Sequence, residues 1–171
     1  IHRLEIGTPS GTYPLTLDET RLFADLADLS PAPGVMPYDV NLPFWSDNGI
    51  KRRWFTMPVA TNFATWTPEG TWTNTPGMIW VKHFDFDLTP TNRVRLETRV
   101  LVRNAGGGYG VSYRWNTNGT DARLVGDEGS NFTMTVTGSG FTNQQTWRIP
   151  SRAECMSCHN TPAGIALWRA A

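Results

Sequence analysis

Cys155-Met156-Ser157-Cys158-His159 gathers both cysteines of the chain and one of its three histidines into five consecutive positions. Scattered at random over 171 residues, these side chains would produce C-x-x-C-H roughly 4 × 10⁻⁴ times per chain, so the spacing calls for a chemical reading. One reading is covalent haem attachment, in which the two thiols form thioethers with porphyrin vinyl groups and the adjacent imidazole meets the iron. On a helix, residues i and i+3 share a face, so Cys155 and Cys158 can reach one macrocycle with His159 beside them. Three other readings stay open. A redox C-x-x-C needs an activated first thiol at a helix N-terminus, within a thioredoxin-like βαβ context that this sequence lacks. A structural zinc site needs four ligands, which Cys155, Cys158, His159 and His83 could supply, although a second ligand pair is missing. A local disulfide is the plainest.

If the group is a single haem c, the sixth iron ligand decides the function. Neither Met nor His follows His159, so the ligand comes from upstream, from another chain, or is absent. His83 is the leading candidate, because a neutral imidazole on a strand flanked by apolar residues is a good iron ligand. His2, Met57, Met78 and Met134 are alternatives, as is an open site. His2 could also act on a neighbouring subunit, which would link haems in a homo-oligomer or filament.

The elements that must position these groups are mostly strands. Sixteen Gly, 12 Pro and 8 Trp, with many Thr and Asn, favour short strands and tight turns. Residues 1–12 read as an arm. Thr16-Leu17-Asp18-Glu19 has capping-box spacing, and Leu22, Phe23, Leu26 and Leu29 form an apolar stripe, so a short amphipathic helix is expected before Pro31. Strands are then expected at 39–45 and 50–57, joined through the turn Ser46-Asp47-Asn48-Gly49. In 77–86, Met78, Trp80, Lys82, Phe84 and Phe86 alternate with Ile79, Val81, His83 and Asp85, and the aromatic side is the one expected to be buried. In 93–103, Val94, Leu96, Thr98, Val100 and Val102 face inward against a charged outer face. Further strands are expected at 109–115, 132–137 and 144–149. This is a mainly β single domain, an antiparallel sandwich or partly open barrel. A second capping box, Ser151-Arg152-Ala153-Glu154, opens a short haem-attachment helix within 151–171.

Charge excludes some partners. Lys plus Arg and Asp plus Glu both number 15, which gives no electrostatic case for nucleic acid or an anionic membrane. No apolar run approaches the roughly 20 residues that cross a bilayer. Lys51-Arg52-Arg53 would pair with haem propionates or an acidic redox partner, or form a solvated strand end. The Trp residues Trp45, Trp54, Trp66, Trp72, Trp80 and Trp115 would serve as core, haem-pocket wall or sugar-stacking platform. Gly106-Gly107-Gly108 lacks the helix and Lys of a phosphate loop and reads as a turn.

Tyr13-Pro14-Leu15, Leu22-Phe23, Pro37-Tyr38-Asp39-Val40-Asn41, Phe44-Trp45-Ser46-Asp47, Lys51-Arg52-Arg53-Trp54-Phe55, Trp80-Val81-Lys82-His83-Phe84, Leu96-Glu97-Thr98-Arg99 and Pro150-Ser151-Arg152-Ala153-Glu154-Cys155 together resemble a family of secreted bacterial c-type cytochrome domains. In that family a β-rich region precedes the haem-attachment motif, often beside sugar-dehydrogenase-like β-propellers or further haem modules. The resemblance implies a periplasmic or extracellular electron carrier rather than an enzyme, with haem held at Cys155, Cys158 and His159. Its partner would be a redox protein or a neighbouring haem domain. A carbohydrate or cell-wall binding module, and a haem peroxidase or gas sensor with an open distal site, are the alternatives. With His83 as distal ligand, His83→Ala is expected to convert a low-spin absorption spectrum to high-spin.

Overall fold

The alternating segments become strands. The computed structural model describes residues 13–42, 44–58, 74–161 and 164–166; the arm 1–12 with His2, as well as Trp66, Trp72 and Trp168, lies outside the described residues. Two short strands, β1 (Phe23–Asp25) and β2 (Ser30–Pro31), form a hairpin. A six-stranded sheet follows in sequence order: β3 (Val35–Tyr38), β4 (Ile50–Thr56), β5 (Ile79–Thr89), β6 (Asn92–Asn104), β7 (Gly107–Trp115) and β8 (Ala122–Leu124). A second hairpin, β9 (Ser130–Gly138) with β10 (Phe141–Ile149), leads into α1 (Arg152–Cys158). Every pairing between strands is antiparallel. The large sheet is open, with β3 and β8 at its edges. Among the described residues no helix is long and apolar enough to cross a membrane.

Both faces of the sheet are covered. On one, Trp54, Ile79, Val81, Val100, Val111, Tyr113 and Trp115 pack under Leu17, Leu22, Phe23 and Leu29 from the N-terminal segment. On the other, Phe84, Phe86 and Leu96 pack under Met134, Trp147 and Ile149 of the second hairpin, while Met78, Trp80 and Leu101 pack under Met156 and Ile165. We call these the N-terminal and C-terminal faces. The expectation that only one side of β5 is buried is thereby corrected, and so is the solvated charged face of β6: Glu97 there is fully buried. Register explains both. Trp80 pairs with Leu101, Lys82 with Arg99 and Phe84 with Glu97, so the aromatic side of β5 and the charged side of β6 are one surface.

Two local expectations also change. The capping box at Thr16 forms, with Glu19 N–H donating to Thr16 Oγ1 (3.3 Å) and Thr16 N–H to Glu19 Oε2 (3.2 Å). It starts only a 3-10 turn, Asp18–Thr20, which ends at Arg21 in the left-handed region (φ 55). Asp25 and Asp28 then accept from Ala27 N–H (2.7 Å) and Ser30 N–H (2.8 Å). Such local side-chain bonds compete with helix. An extended course carries Leu22 and Phe23 into the core instead. The partner of β4 is Val35–Tyr38 and not 39–45, because Asp39 turns its carboxylate onto its neighbour's Val40 N–H (2.8 Å) and onto Arg53 (3.1 Å). The turn at 46–49 is present, with Asp47 and Asn48 at φ 44 and 63.

The N-terminal face has its own polar network. His83 is fully buried, with Nε2 2.9 Å from Asp85 Oδ1 and Nδ1 2.8 Å from Thr98 Oγ1. Burial holds the imidazole below its usual pKa despite the Asp85 bond. Burial raises Asp85, but the His83 bond and the charges of Arg52 and Arg95 outweigh it and keep the carboxyl below its usual range. A neutral ring beside an ionised carboxylate must donate from Nε2, so Nδ1 accepts from the Thr98 hydroxyl. That hydroxyl accepts from Trp115 Nε1 (3.0 Å), and every member is satisfied. Thr98→Val removes a donor and an acceptor at once, and urea denaturation should show a loss of about 2–3 kcal/mol.

Candidate functional site

The second capping box forms as the sequence indicates. Glu154 N–H donates to Ser151 Oγ (3.0 Å) and Ser151 N–H to Glu154 Oε2 (2.6 Å), and α1 starts at Arg152. The helix settles against β7 at Gly110. A Cβ there would stand 2.9 Å from Cys155 Cβ and 3.3 Å from its Sγ, so the approach requires glycine. Cys155 is half-buried, Cys158 is exposed, and both are free thiols. Burial pushes the Cys155 thiol up, the opposite of what a nucleophilic redox cysteine requires.

His159 caps the C-terminus of α1. Its Nδ1 lies 2.6 Å from the Ile165 carbonyl oxygen. A carbonyl only accepts, so Nδ1 carries the proton and Nε2 the lone pair. Burial lowers the pKa of this imidazole, against the raising effect of the Ile165 bond, which favours the neutral, ligating form. Ile165 holds the carbonyl from a left-handed conformation (φ 63) with its side chain buried beside Met78, Trp80 and Leu101.

His83 stands elsewhere. It points from the N-terminal face, whereas Cys155 and His159 lie over the C-terminal face, and its ring nitrogens are both engaged. The structure therefore does not bring His83 to the cysteines, either as a distal haem ligand or as a fourth zinc ligand. Among the described residues no three or more His, Cys, Asp or Glu side chains are grouped to hold a metal ion. Met57 and Met78 belong to the cluster under α1, and Met134 packs with Trp147 under the second hairpin.

The C-terminal face beside the motif is cationic. Strand alternation splits Lys51-Arg52-Arg53: Arg52 pairs with Asp85 (3.3 Å) on the N-terminal face, while Lys51 and Arg53 lie on the other. Arg53, Lys82 and Arg99 are cross-strand neighbours in one row. Arg99 is bonded to Glu97 (3.0 and 2.5 Å) and Arg53 to the exposed Asp39 (3.1 Å). Lys82 has no hydrogen bond or ion pair among the described residues. Burial, with Arg53, Arg99 and Lys51 adding repulsion, pushes its ammonium down to about 8. The charges of Lys82 and Arg99 reach His159, and that of Arg99 reaches Cys155.

Arg99 also lines a cleft of about 330 Å³ with Phe44, Trp45, Ser46, Asp47, Trp147 and Arg148. Phe44 and Trp45 are 77% and 68% exposed, apolar rings left uncovered among the described residues. Lys51 Nζ ties this loop to the sheet through the Phe44 carbonyl (2.5 Å). Of the described Trp residues, Trp54, Trp80, Trp115 and Trp147 are core and only Trp45 is exposed; a sugar-stacking platform of successive Trp is not formed among them. Sequence reasoning placed Lys82 and Arg99 on strands without connecting them to the motif. Their shared parity, a lysine amid aromatic residues opposite an arginine, was the available signal.

No protein-family model, curated protein or solved structure matches the chain.

Two outcomes follow for the polypeptide alone. His83→Ala should lose about 2–4 kcal/mol in chemical denaturation, through the cavity and the broken network. Lys82→Met should be more stable than the native chain at pH 7, because the native fold holds an ammonium it disfavours. Above pH 8 the native fold sheds that proton while the unfolded chain keeps it up to about 10.4, so the gain should shrink with rising pH. Denaturation midpoints across pH 7–11 check it.

Proposed function

We propose that this chain is an electron-transfer domain carrying one haem c, joined by thioethers to Cys155 and Cys158 and bound to iron through His159 Nε2. The observation that carries the reading is the His159 Nδ1–H bond to the Ile165 carbonyl, which leaves the lone pair on Nε2 beside two free thiols. The surroundings support the group: aromatic rings line a cleft that shares Arg99 with the cationic row, and Arg148 of the same cleft is paired with Glu154 of α1. When bound, haem iron takes up and releases single electrons. The residues of this chain set the terms of that exchange.

Gly110 lets α1 lie flat on β7, which fixes where both thiols begin. The carbonyl bond orients the imidazole and raises its basicity as a ligand. Phe44, Trp45 and Trp147 would supply apolar surface to a group seated in the cleft, a lever on reduction potential. With His83 engaged on the opposite face, the distal position falls to another group or stays open. In the latter case CO or cyanide would bind and the alternative of a gas sensor or peroxidase would gain support. In this reading the protein works in the periplasm or outside the cell and hands electrons to a redox protein or neighbouring haem domain, as the resemblance to secreted cytochrome domains implies.

The test is the full chain made in a host competent for haem attachment, extracted with acid and acetone. Native protein should retain its haem absorption. Cys155→Ala/Cys158→Ala should lose essentially all of it, and Cys158→Ala alone should retain haem through a single thioether. A colourless native protein would falsify the reading. His83→Ala should leave the spin state of the iron unchanged, in contrast to the expectation from sequence.

A further inference from the structure

Among the described residues the C-terminal face carries a cation with no ion pair and two buried polar side chains with no partner. Among the described residues Lys82 has no hydrogen bond or ion pair, its ammonium lying 5.1 Å from the Phe84 ring centroid with the charge of Glu97 in reach, and the buried Arg53 pairs with the exposed Asp39. Trp80 is 5% exposed and Ser112 4% exposed, and among the described residues neither the indole Nε1 nor the hydroxyl has a partner. Trp80 precedes Lys82 by two residues on β5, and Ser112 pairs with Arg99 on β7, so both project from the face that carries the row. Like charges directly opposite one another on neighbouring strands are unfavourable. Such a row beside unsatisfied buried donors marks a place for an acceptor that carries negative charge. The row and Cys155 occupy adjacent positions: Ser112 pairs with Arg99, and Gly110, which Cys155 overlies, is two residues away on the same side of β7.

We propose that Arg53, Lys82 and Arg99, with the Trp80 N–H beside them, receive the propionate carboxylates of the haem attached at Cys155 and Cys158. The assignment rests on the haem c reading and specifies which way the macrocycle lies: from α1 across β7 and β6 toward β5, with its carboxylate edge over the row. Carboxylates are acceptors only and match ammonium, guanidinium and indole donors. Lys82 gains a carboxylate in direct contact. The network also tunes the iron, because positive charge held near haem favours the reduced form.

Spectroelectrochemical titration of the haem-loaded full chain tests this. Lys82→Met should lower the midpoint potential enough to change the oxidised-to-reduced ratio about tenfold at fixed potential, or about 59 mV for one electron. Trp80→Phe keeps the ring, loses only the N–H, and should shift the ratio the same way by about threefold. Arg93→Gln, a charge change in an exposed pair with Asp87 at the far end of β6, should leave the potential unchanged. Retained haem with Lys82→Met indistinguishable from Arg93→Gln would overturn the assignment and leave the haem c reading standing. A low-spin to high-spin change in Lys82→Met would also overturn it, since Lys82 would then be an iron ligand. Absence of acid-acetone-stable haem in the native chain would end both.

Discussion

The carboxylate of Glu97 is fully buried, and much of the molecule is arranged around it. A charge withdrawn from water is tolerable only when its partners are close and well directed. Arg99, two residues along the same strand, grips it with two bonds, and Trp147 Nε1 donates to it from β10 (3.0 Å). That single acceptor fastens the second hairpin to the sheet. It also holds the Arg99 guanidinium against the Phe84 ring, 4.6 Å from its centroid. From β10 the chain has only Pro150 and Ser151 to cross before α1 begins, so the position of the C-x-x-C-H helix follows from where Trp147 is anchored.

The two faces of the sheet differ in their hydrogen-bond accounts. On the N-terminal face, one chain of bonds runs Trp115 to Thr98, Thr98 to His83, His83 to Asp85, Arg52 to Asp85, and among the described residues it leaves Arg52 Nε without a partner. This chain behaves as scaffold. On the C-terminal face, Trp80 Nε1 and the Ser112 hydroxyl have no partner among the described residues, and neither does the acceptor Asn74 Oδ1 beside Gly164. A fold that leaves buried donors unsatisfied loses stability.

Local features were legible in the sequence, and features that depend on register were not. C-x-x-C-H and the Ser151 capping box lie within nine consecutive residues, and the structure forms that box as read. The Thr16 box was equally visible and formed, yet Asp25, Asp28 and the burial of Phe23 ended the helix it announced. His83 was singled out by residue type and by its apolar neighbours. Its role was decided by Thr98 on another strand, which periodicity cannot pair. The same limit gave β5 and β6 incompatible faces, because each strand was judged alone, and pairing Lys82 with Arg99 makes those faces one. The strand segments themselves, resting on alternation within a few residues, were the most legible part of the fold.

Ile165 is a β-branched residue in a backbone conformation that such side chains avoid. It stays there because its side chain is 3% exposed, wedged among Met78, Trp80 and Leu101 and against Gly108. Packing therefore clamps the carbonyl that polarises His159, and the core acts as a spring behind the imidazole. Slackening that spring by a single methyl group, well away from any thiol or charge, would let the carbonyl drift and the imidazole rotate. The basicity of that imidazole is thus an inherited property of how well the interior is filled.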